Sequence, residues 1–337
     1  MLEEFNFLDS DLAKEIIIEN PNKIADLCEE YEVIAERLEK ILESCRKYTS
    51  QGEVADYIPE LAKANREEIG IYVATDHGDY FAGDWQKPFT IQSIVKTIFL
   101  MLAAQDNGIQ YVKDHVGVEA TGKPFNAIDY AEHKLLKEHI NPMVNIGAIA
   151  VCDLIQASSN DERLERLLNY TRDITGNPNL EVDHAVYLSE KRTGHKNRAL
   201  AYLLKNAGMI KGDVEGLLDV YFAMCSVRVN CQDLAKLGML LASHGKGVKS
   251  GRQIIPKEDA KFINAVLTTS GMYDGSGEFA TRVGLPAKSG VGGGIMANQP
   301  GGMGIGIFSP ALDSKGNSVA GIKMLEKLSR ELDLSIF

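Results

Sequence analysis

The stretch Pro88-Phe89-Thr90-Ile91-Gln92-Ser93-Ile94-Val95-Lys96, continued by Thr97-Ile98-Phe99-Leu100-Met101-Leu102-Ala103-Ala104, decides how this chain folds. Its first residues are strand-like, and from Ile94 the apolar run has the length of a buried helix. Ser93 therefore stands where a helix begins, with Lys96 one turn further on the same face. Two readings fit these residues. Ser93 can be a helix cap and Lys96 a lysine that snorkels to water. Alternatively, a lysine buried among apolar residues has a lowered pKa. Its neutral amine can then take the proton of a serine one turn away.

The spacing Ser-x-x-Lys also occurs at Ser44 and Ser243, so the pattern alone decides nothing. Ser44 sits beside Arg46 and Lys47 at the end of a charged helix, on what reads as a solvated face. Ser243 sits in the turn Ser243-His244-Gly245-Lys246-Gly247, with no helix after it. Only Ser93 opens an apolar helix. A further element lies near the other end of the chain, where Lys288-Ser289-Gly290 runs into Val291-Gly292-Gly293-Gly294. A strand carrying Lys-Ser-Gly beside a Ser-x-x-Lys serine is the third motif of the penicillin-recognising hydrolases. Its glycines allow close backbone approach to a ligand, and its amide can form half of an oxyanion hole.

Composition narrows the alternatives. The chain has 337 residues, enough for two domains or one large one. It is 45% hydrophobic and 25% charged, so a core forms without disulfide or metal staples. A net charge of −11 argues against coating nucleic acid, which requires clustered cations. No apolar window reaches membrane-spanning length. The acidic start Met1-Leu2-Glu3-Glu4 lacks the pattern of a secretory signal. The five cysteines, Cys28, Cys45, Cys152, Cys225 and Cys231, form no Cys-x-x-Cys pair, as expected of reduced thiols in the cytoplasm. Other motifs fail in detail. Gly117–Lys123 has phosphate-loop spacing, but Pro124 stands where a hydroxyl residue is needed. The glycine-rich run 290–306 holds no complete dinucleotide fingerprint. Neither His-Glu-x-x-His nor Gly-x-Ser-x-Gly occurs.

Along the chain, residues 1–50 hold most of the excess negative charge. They carry a heptad stripe of Ile24, Leu27, Tyr31, Ile34, Leu38, Ile41 and Cys45. That helix docks either on its own domain or on another subunit. Residues 69–82 read as a β-hairpin turning at Asp76–Asp79, and residues 94–270 read mostly as helices. Gly304–Phe308 and Ser318–Ile322 read as strands around the turn 313–317, and Lys323–Leu332 as a final helix. The expected architecture is α/β of the α+β kind. Both ends of the chain (51–110 and 270–337) build one antiparallel sheet flanked by helices, a helical lobe (111–269) is inserted, and residues 1–50 are a helical extension.

From about residue 50 onward the chain resembles the serine-dependent glutaminases of the β-lactamase-like fold, the bacterial type that also forms the catalytic domain of animal glutaminases. The runs that carry the resemblance are GEVADYIPELA (52–62), FTIQSIVK (89–96), GKPFNAI (122–128), NPMVNIGAI (141–149), SEKRTGHKNRALAYLL (189–204), DVYFAMCSV (219–227), TTSGMYDGSGEFA (268–280) and GLPAKSGVGGGI (284–295). The resemblance implies that Ser93 is the nucleophile and Lys96 its base, with Tyr221 relaying a proton. The N–H groups of Ser93 and Val291 would hold the oxyanion. Asn145, Glu190, Asn197 and Tyr273 match substrate-binding positions, and Tyr57 matches a tyrosine near the site entrance. Taken singly, Asn145 could be a loop amide, Glu190 a surface charge and Tyr221 a core aromatic. The family often has Ser where Val95 stands and Gln where Met224 stands. The resemblance implies L-glutamine as substrate, no metal or organic cofactor, no nucleic-acid or membrane partner, and a homodimer or homotetramer. A β-lactam or peptide substrate on the same scaffold, or a binding module without turnover, is the competing expectation.

Overall fold

The computed structural model describes residues 21–120, 126–127, 140–247 and 251–337. The strands are β1 (Gly70–Thr75), β2 (Asp79–Gly83), β3 (Phe89–Thr90), β4 (Arg228–Val229), β5 (Ala287–Ser289), β6 (Gly294–Gln299) and β7 (Met303–Phe308). The helices are α1 (Pro21–Arg46), α2 (Val95–Asn107), α3 (Ile109–His115), α4 (Asn145–Leu154), α5 (Asn160–Thr175), α6 (His184–Thr193), α7 (His195–Asn206), α8 (Val214–Cys225), α9 (Cys231–Ala242), α10 (Lys257–Ser270), α11 (Ser276–Arg282) and α12 (Val319–Leu332).

The main sheet runs β2-β1-β7-β6-β5 and is antiparallel throughout. Both ends of the chain supply its strands, with Ile71 opposite Ile307. The period-2 alternation of a strand sorts its side chains. Ile71, Val73, Ile295, Ala297, Ile305 and Ile307 enter one core with Leu38, Ile41, Leu42 and Cys45 of α1 and Ala320, Met324, Leu325 and Leu328 of α12. Tyr72, Ala74 and Met296 enter the larger core on the other side, with α2, α4, α8 and α9. The sheet is thus flanked by helices on both faces.

On that second face, β7 presents Gly304 and Gly306 to α9. A Cβ on Gly304 would lie 2.0 Å from the Ala235 carbonyl, and one on Gly306 would lie 1.9 Å from the Cys231 carbonyl. Both obstacles are helix backbone, which cannot step aside. Gly306→Ala should therefore cost at least ~3 kcal/mol, beyond ordinary overpacking, read as a lowered urea midpoint. Gly277→Ala, in the helical α11 with nothing near its Cβ, should leave the midpoint unchanged or raise it slightly.

The sequence reading is corrected at Ser318–Ile322, which is not a strand. Ser318 caps α12, its hydroxyl accepting the Gly321 N–H at 3.1 Å. The buried Ala320, Met324, Leu325 and Leu328 follow helical spacing from there. A two-residue pair, β3 with β4, has no sequence signal at its β4 end. The heptad stripe docks on its own domain at Leu38, Ile41 and Cys45. The side chains of Ile24, Leu27 and Tyr31 lie outside the described residues, as does most of the 122–128 run.

Candidate active site

Ser93 lies in a short 3-10 turn, Gln92–Ile94, that leads directly into α2. The N-cap positions of the turn and of the helix fall on Ile91 and Ile94, not on Ser93. Gln92, just before it, has φ of +51°, a left-handed conformation that a residue with a side chain rarely adopts. The turn is held from outside by the Lys288-Ser289-Gly290 strand end. A Cβ on Gly290 would lie 2.8 Å from the Ile91 carbonyl, and one on Gly292 would lie 2.7 Å from the Thr90 carbonyl. Glycine at these two positions lets the Val291 backbone run alongside the serine turn. Neither the Ser93 nor the Val291 N–H donates to a backbone acceptor among the described residues.

Lys96 does not snorkel. It is 1% exposed, and its Nζ donates to the Asn145 Oδ1 at 2.6 Å and the Met143 carbonyl at 3.2 Å. Both of these acceptors are neutral. Burial pulls its ammonium down to about 7, against smaller upward pulls from Cys225 and Glu190. Asn145 is the first residue of α4. Gly147, two residues on, allows the Asn141 carbonyl to pass where a Cβ would otherwise sit, at 2.0 Å. The Asn145 amide also donates to the Asn197 Oδ1 of α7 at 2.9 Å. Lys96, Asn145 and Asn197 thus form one chain of hydrogen bonds.

Glu190 of α6 is 5% exposed, so it is not a surface charge. Burial pushes its carboxyl up to about 7, opposed by a hydrogen bond from Gln92 and by the Lys96 charge. Tyr221 and Cys225 of α8 stand one turn apart, close enough for each to influence the other's titration. Burial raises both groups well above their ordinary values. Tyr221 also packs against Phe99 of α2, with ring centroids 5.9 Å apart. Tyr273, likewise at a positive φ of +51°, brings its hydroxyl to that of Ser93, and burial raises its pKa. Its ring lies under the buried Lys288 ammonium, 4.4 Å from the centroid, and Lys288 also donates to the Gly271 and Ser289 carbonyls. Tyr57 is 53% exposed as a residue. Its hydroxyl end is nonetheless taken out of water toward Tyr273, Glu190 and Cys225, which raises the phenol well above its usual range. Tyr57 is therefore a rim residue. Val291 packs with Tyr273, Ile58 and Leu312.

Every site residue expected from the sequence therefore falls in this neighbourhood. Three further residues belong to it: Gln92, Cys225 and Lys288. The signal for Cys225 is its one-turn spacing from Tyr221, and that for Lys288 is the motif it opens. Gln92 has no signal except being an amide inside an apolar run. No group of His, Cys, Asp and Glu suited to holding a metal ion occurs among the described residues, and no described helix is long and apolar enough to cross a membrane.

The antiparallel sheet between helical layers, with a buried serine and lysine three residues apart and a Lys-Ser-Gly edge strand beside them, defines a β-lactamase-like protein with a hydrolase-type site. Comparison with known proteins narrows this. A family profile described as Glutaminase matches residues 52–337. The chain is 53% identical over 292 residues to a glutaminase of Clostridium tetani, covering 86% of this chain and 95% of that one. It is 52% identical to glutaminase 2 of Clostridium perfringens, covering 86% and 96%. Among solved structures it is similar to a Bacillus subtilis glutaminase in covalent complex with 5-oxo-L-norleucine, formed by reaction with 6-diazo-5-oxo-L-norleucine. That match has a TM-score of 0.82 and 38% identity, and covers 90% of this chain and 99% of that one. The chain belongs to the glutaminase family.

Proposed function

We propose that this protein hydrolyses L-glutamine to L-glutamate and ammonia through an acyl-enzyme on Ser93. The observation that carries the reading is Lys96: a lysine at 1% exposure, hydrogen-bonded to the neutral oxygens of Asn145 and Met143 and titrating near 7, one turn from a serine. Such an amine is a base at neutral pH. Lys96 takes the Ser93 proton as the oxygen attacks the side-chain amide carbon. The N–H groups of Ser93 and Val291 hold the tetrahedral oxyanion. The nitrogen leaves as ammonia after receiving a proton through Lys96 or Tyr221. Water then attacks the γ-glutamyl ester, with the same groups moving the proton, and releases glutamate and the serine hydroxyl.

The rest of the site suits the zwitterionic end of glutamine. The Glu190 carboxylate, costly to bury alone, meets the α-ammonium. Asn145, Asn197, Tyr221 and Tyr273 offer donors to the α-carboxylate, and Tyr57 closes the rim. No metal or organic cofactor enters this chemistry. The catalytic domain spans 51–337, in keeping with the matched profile, and residues 1–50 are an extension to it. The protein works in the cytoplasm, where the buried free thiols Cys45, Cys152, Cys225 and Cys231 stay reduced, and as a homodimer or homotetramer.

The test has two parts. The purified protein should release ammonia and glutamate from L-glutamine in equal, sustained amounts. After incubation with 6-diazo-5-oxo-L-norleucine, peptide mass spectrometry should find the adduct on the peptide containing Ser93. An adduct on another residue would overturn the mechanism, and no ammonia at any pH would overturn the function.

A further inference from the structure

We propose that Gln92 is a positioning residue that couples the anchor for the substrate ammonium to the nucleophile. Its amide orients the Glu190 carboxylate, while its left-handed backbone turns Ser93 into the site. This inference rests on the glutaminase reading above and adds a residue to which that reading gives no role.

Gln92 is 3% exposed. A buried amide requires partners, and its side chain has two. Its Nε2 donates to the Glu190 Oε1 at 2.8 Å and to the Thr90 Oγ1 at 3.2 Å. The first bond joins residues 98 apart in sequence. It occupies one carboxylate oxygen and leaves the other for a ligand. A hydrogen bond donated to a carboxylate favours the ionised form, the form that can hold an ammonium group. Gln92 and Lys96 are thus the two groups that oppose the burial driving Glu190 toward protonation. The remaining titratable groups that face Glu190, namely Tyr57, Tyr221 and Cys225, are neutral phenols and a neutral thiol whose own ionisation Glu190 opposes.

The same residue carries the backbone strain beside the nucleophile. A left-handed residue with a side chain persists only where its surroundings hold it there. Here the hold is visible. Thr90 and Glu190 fix the side chain. The Gly290 and Gly292 backbone lies against its Cβ and Cγ, each of these 3.4 Å from an ideal Cβ on the facing glycine. The bond to Glu190 therefore also helps keep the Ser93 turn in place. Occupancy of Glu190 by the substrate ammonium acts on a group directly bonded to the nucleophile's neighbour.

The test compares wild type with Gln92→Met, which keeps length and volume but donates no hydrogen bond, and with Gln92→Glu. Near neutral pH, Gln92→Met should raise KM for glutamine roughly ten- to a hundred-fold, the size of a lost hydrogen bond to a buried charge. It should also move the acidic limb of kcat/KM to higher pH, because Glu190 then protonates more readily. Gln92→Glu, while it holds one proton, donates the same bond, so its KM below pH 7 should lie closer to wild type than that of Gln92→Met. Glutamine binding by calorimetry adds a cycle, in which Gln92→Met placed on Glu190→Gln should weaken binding little beyond the single change. The inference is overturned if Gln92→Met lowers kcat alone with KM and the acidic limb unmoved, if the cycle is additive, or if Gln92→Glu resembles Gln92→Met at every pH. Should Gln92→Met fail to fold, as judged by circular dichroism, the Gln92→Glu pH profile decides alone. A wild type that does not turn over glutamine overturns the glutaminase reading and this inference with it; failure of the variants beside an active wild type overturns this inference only.

Discussion

Ser93→Ala should lower glutamine hydrolysis by on the order of 10⁶-fold, the loss typical when the nucleophile of a hydroxyl-dependent acyl-transfer site is removed. The turn that carries Ser93 is buried and fixed by backbone contacts to Gly290 and Gly292, so losing one oxygen should not disturb it. Folding and glutamine affinity should both survive. A residual rate of a few hundredths of wild type would contradict the assignment, because oxyanion donors and binding groups alone do not sustain such a rate. The measurement is ammonia release against enzyme concentration, together with glutamine binding by calorimetry. Tyr273 is the side chain to watch in this variant, since its buried hydroxyl loses its contact with Ser93.

Lys96→Met should lower kcat by ~10²–10⁴-fold, the range for a lost general base, and should raise thermal stability. The stability gain follows from the direction in which burial moves the ammonium. In the folded protein Lys96 titrates at about 7 rather than its ordinary 10.5. Between those values the unfolded chain binds a proton that the folded one does not, so stability rises as pH climbs from about 7 to 10.5 and is unaffected by Lys96 above that. A tenfold loss of proton affinity on folding is worth about 1.4 kcal/mol. The cost of burying the ammonium is fully present below pH 7 and is relieved as pH climbs toward 10.5. The methionine variant avoids that cost, so its Tm advantage should be largest at pH 6 and shrink toward pH 10. Wild-type kcat/KM should fall below about pH 7 as Lys96 takes up its proton and as Glu190, also near 7, becomes neutral. A variant with equal or lower Tm at pH 6 would show that Lys96 is stabilised in place rather than strained.

Strand alternation and the apolar run after Ser93 made the sheet and α2 legible, because both record burial directly. The Ser318–Ile322 stretch misled, since Val319, Ala320 and Ile322 suit a strand as well as a helix and only the Ser318 cap decides between them. β4 is two residues long and has no period to read. At the site, Ser93 and Lys96 stood out because their spacing is local. Asn145, Glu190, Asn197, Tyr221 and Tyr273 come from five separate elements, and only the family resemblance selected them. Gln92 escaped because its partner, Glu190, is brought to it by tertiary packing, which no local pattern encodes.

The pairing of Ile71 with Ile307 has a consequence for how the protein is made. The hairpin β1–β2 emerges from the ribosome long before β7, the strand that covers its open edge. Until then Ile71 and Val73 have no sheet neighbour on that side, and contacts so distant in sequence form slowly. The catalytic serine is likewise translated long before Tyr273 and Val291 arrive to complete its surroundings. A nascent chain should therefore be catalytically silent until β7 and the segment bearing Tyr273 and Val291 have been released. The onset of ammonia production during synthesis would then mark closure of the sheet.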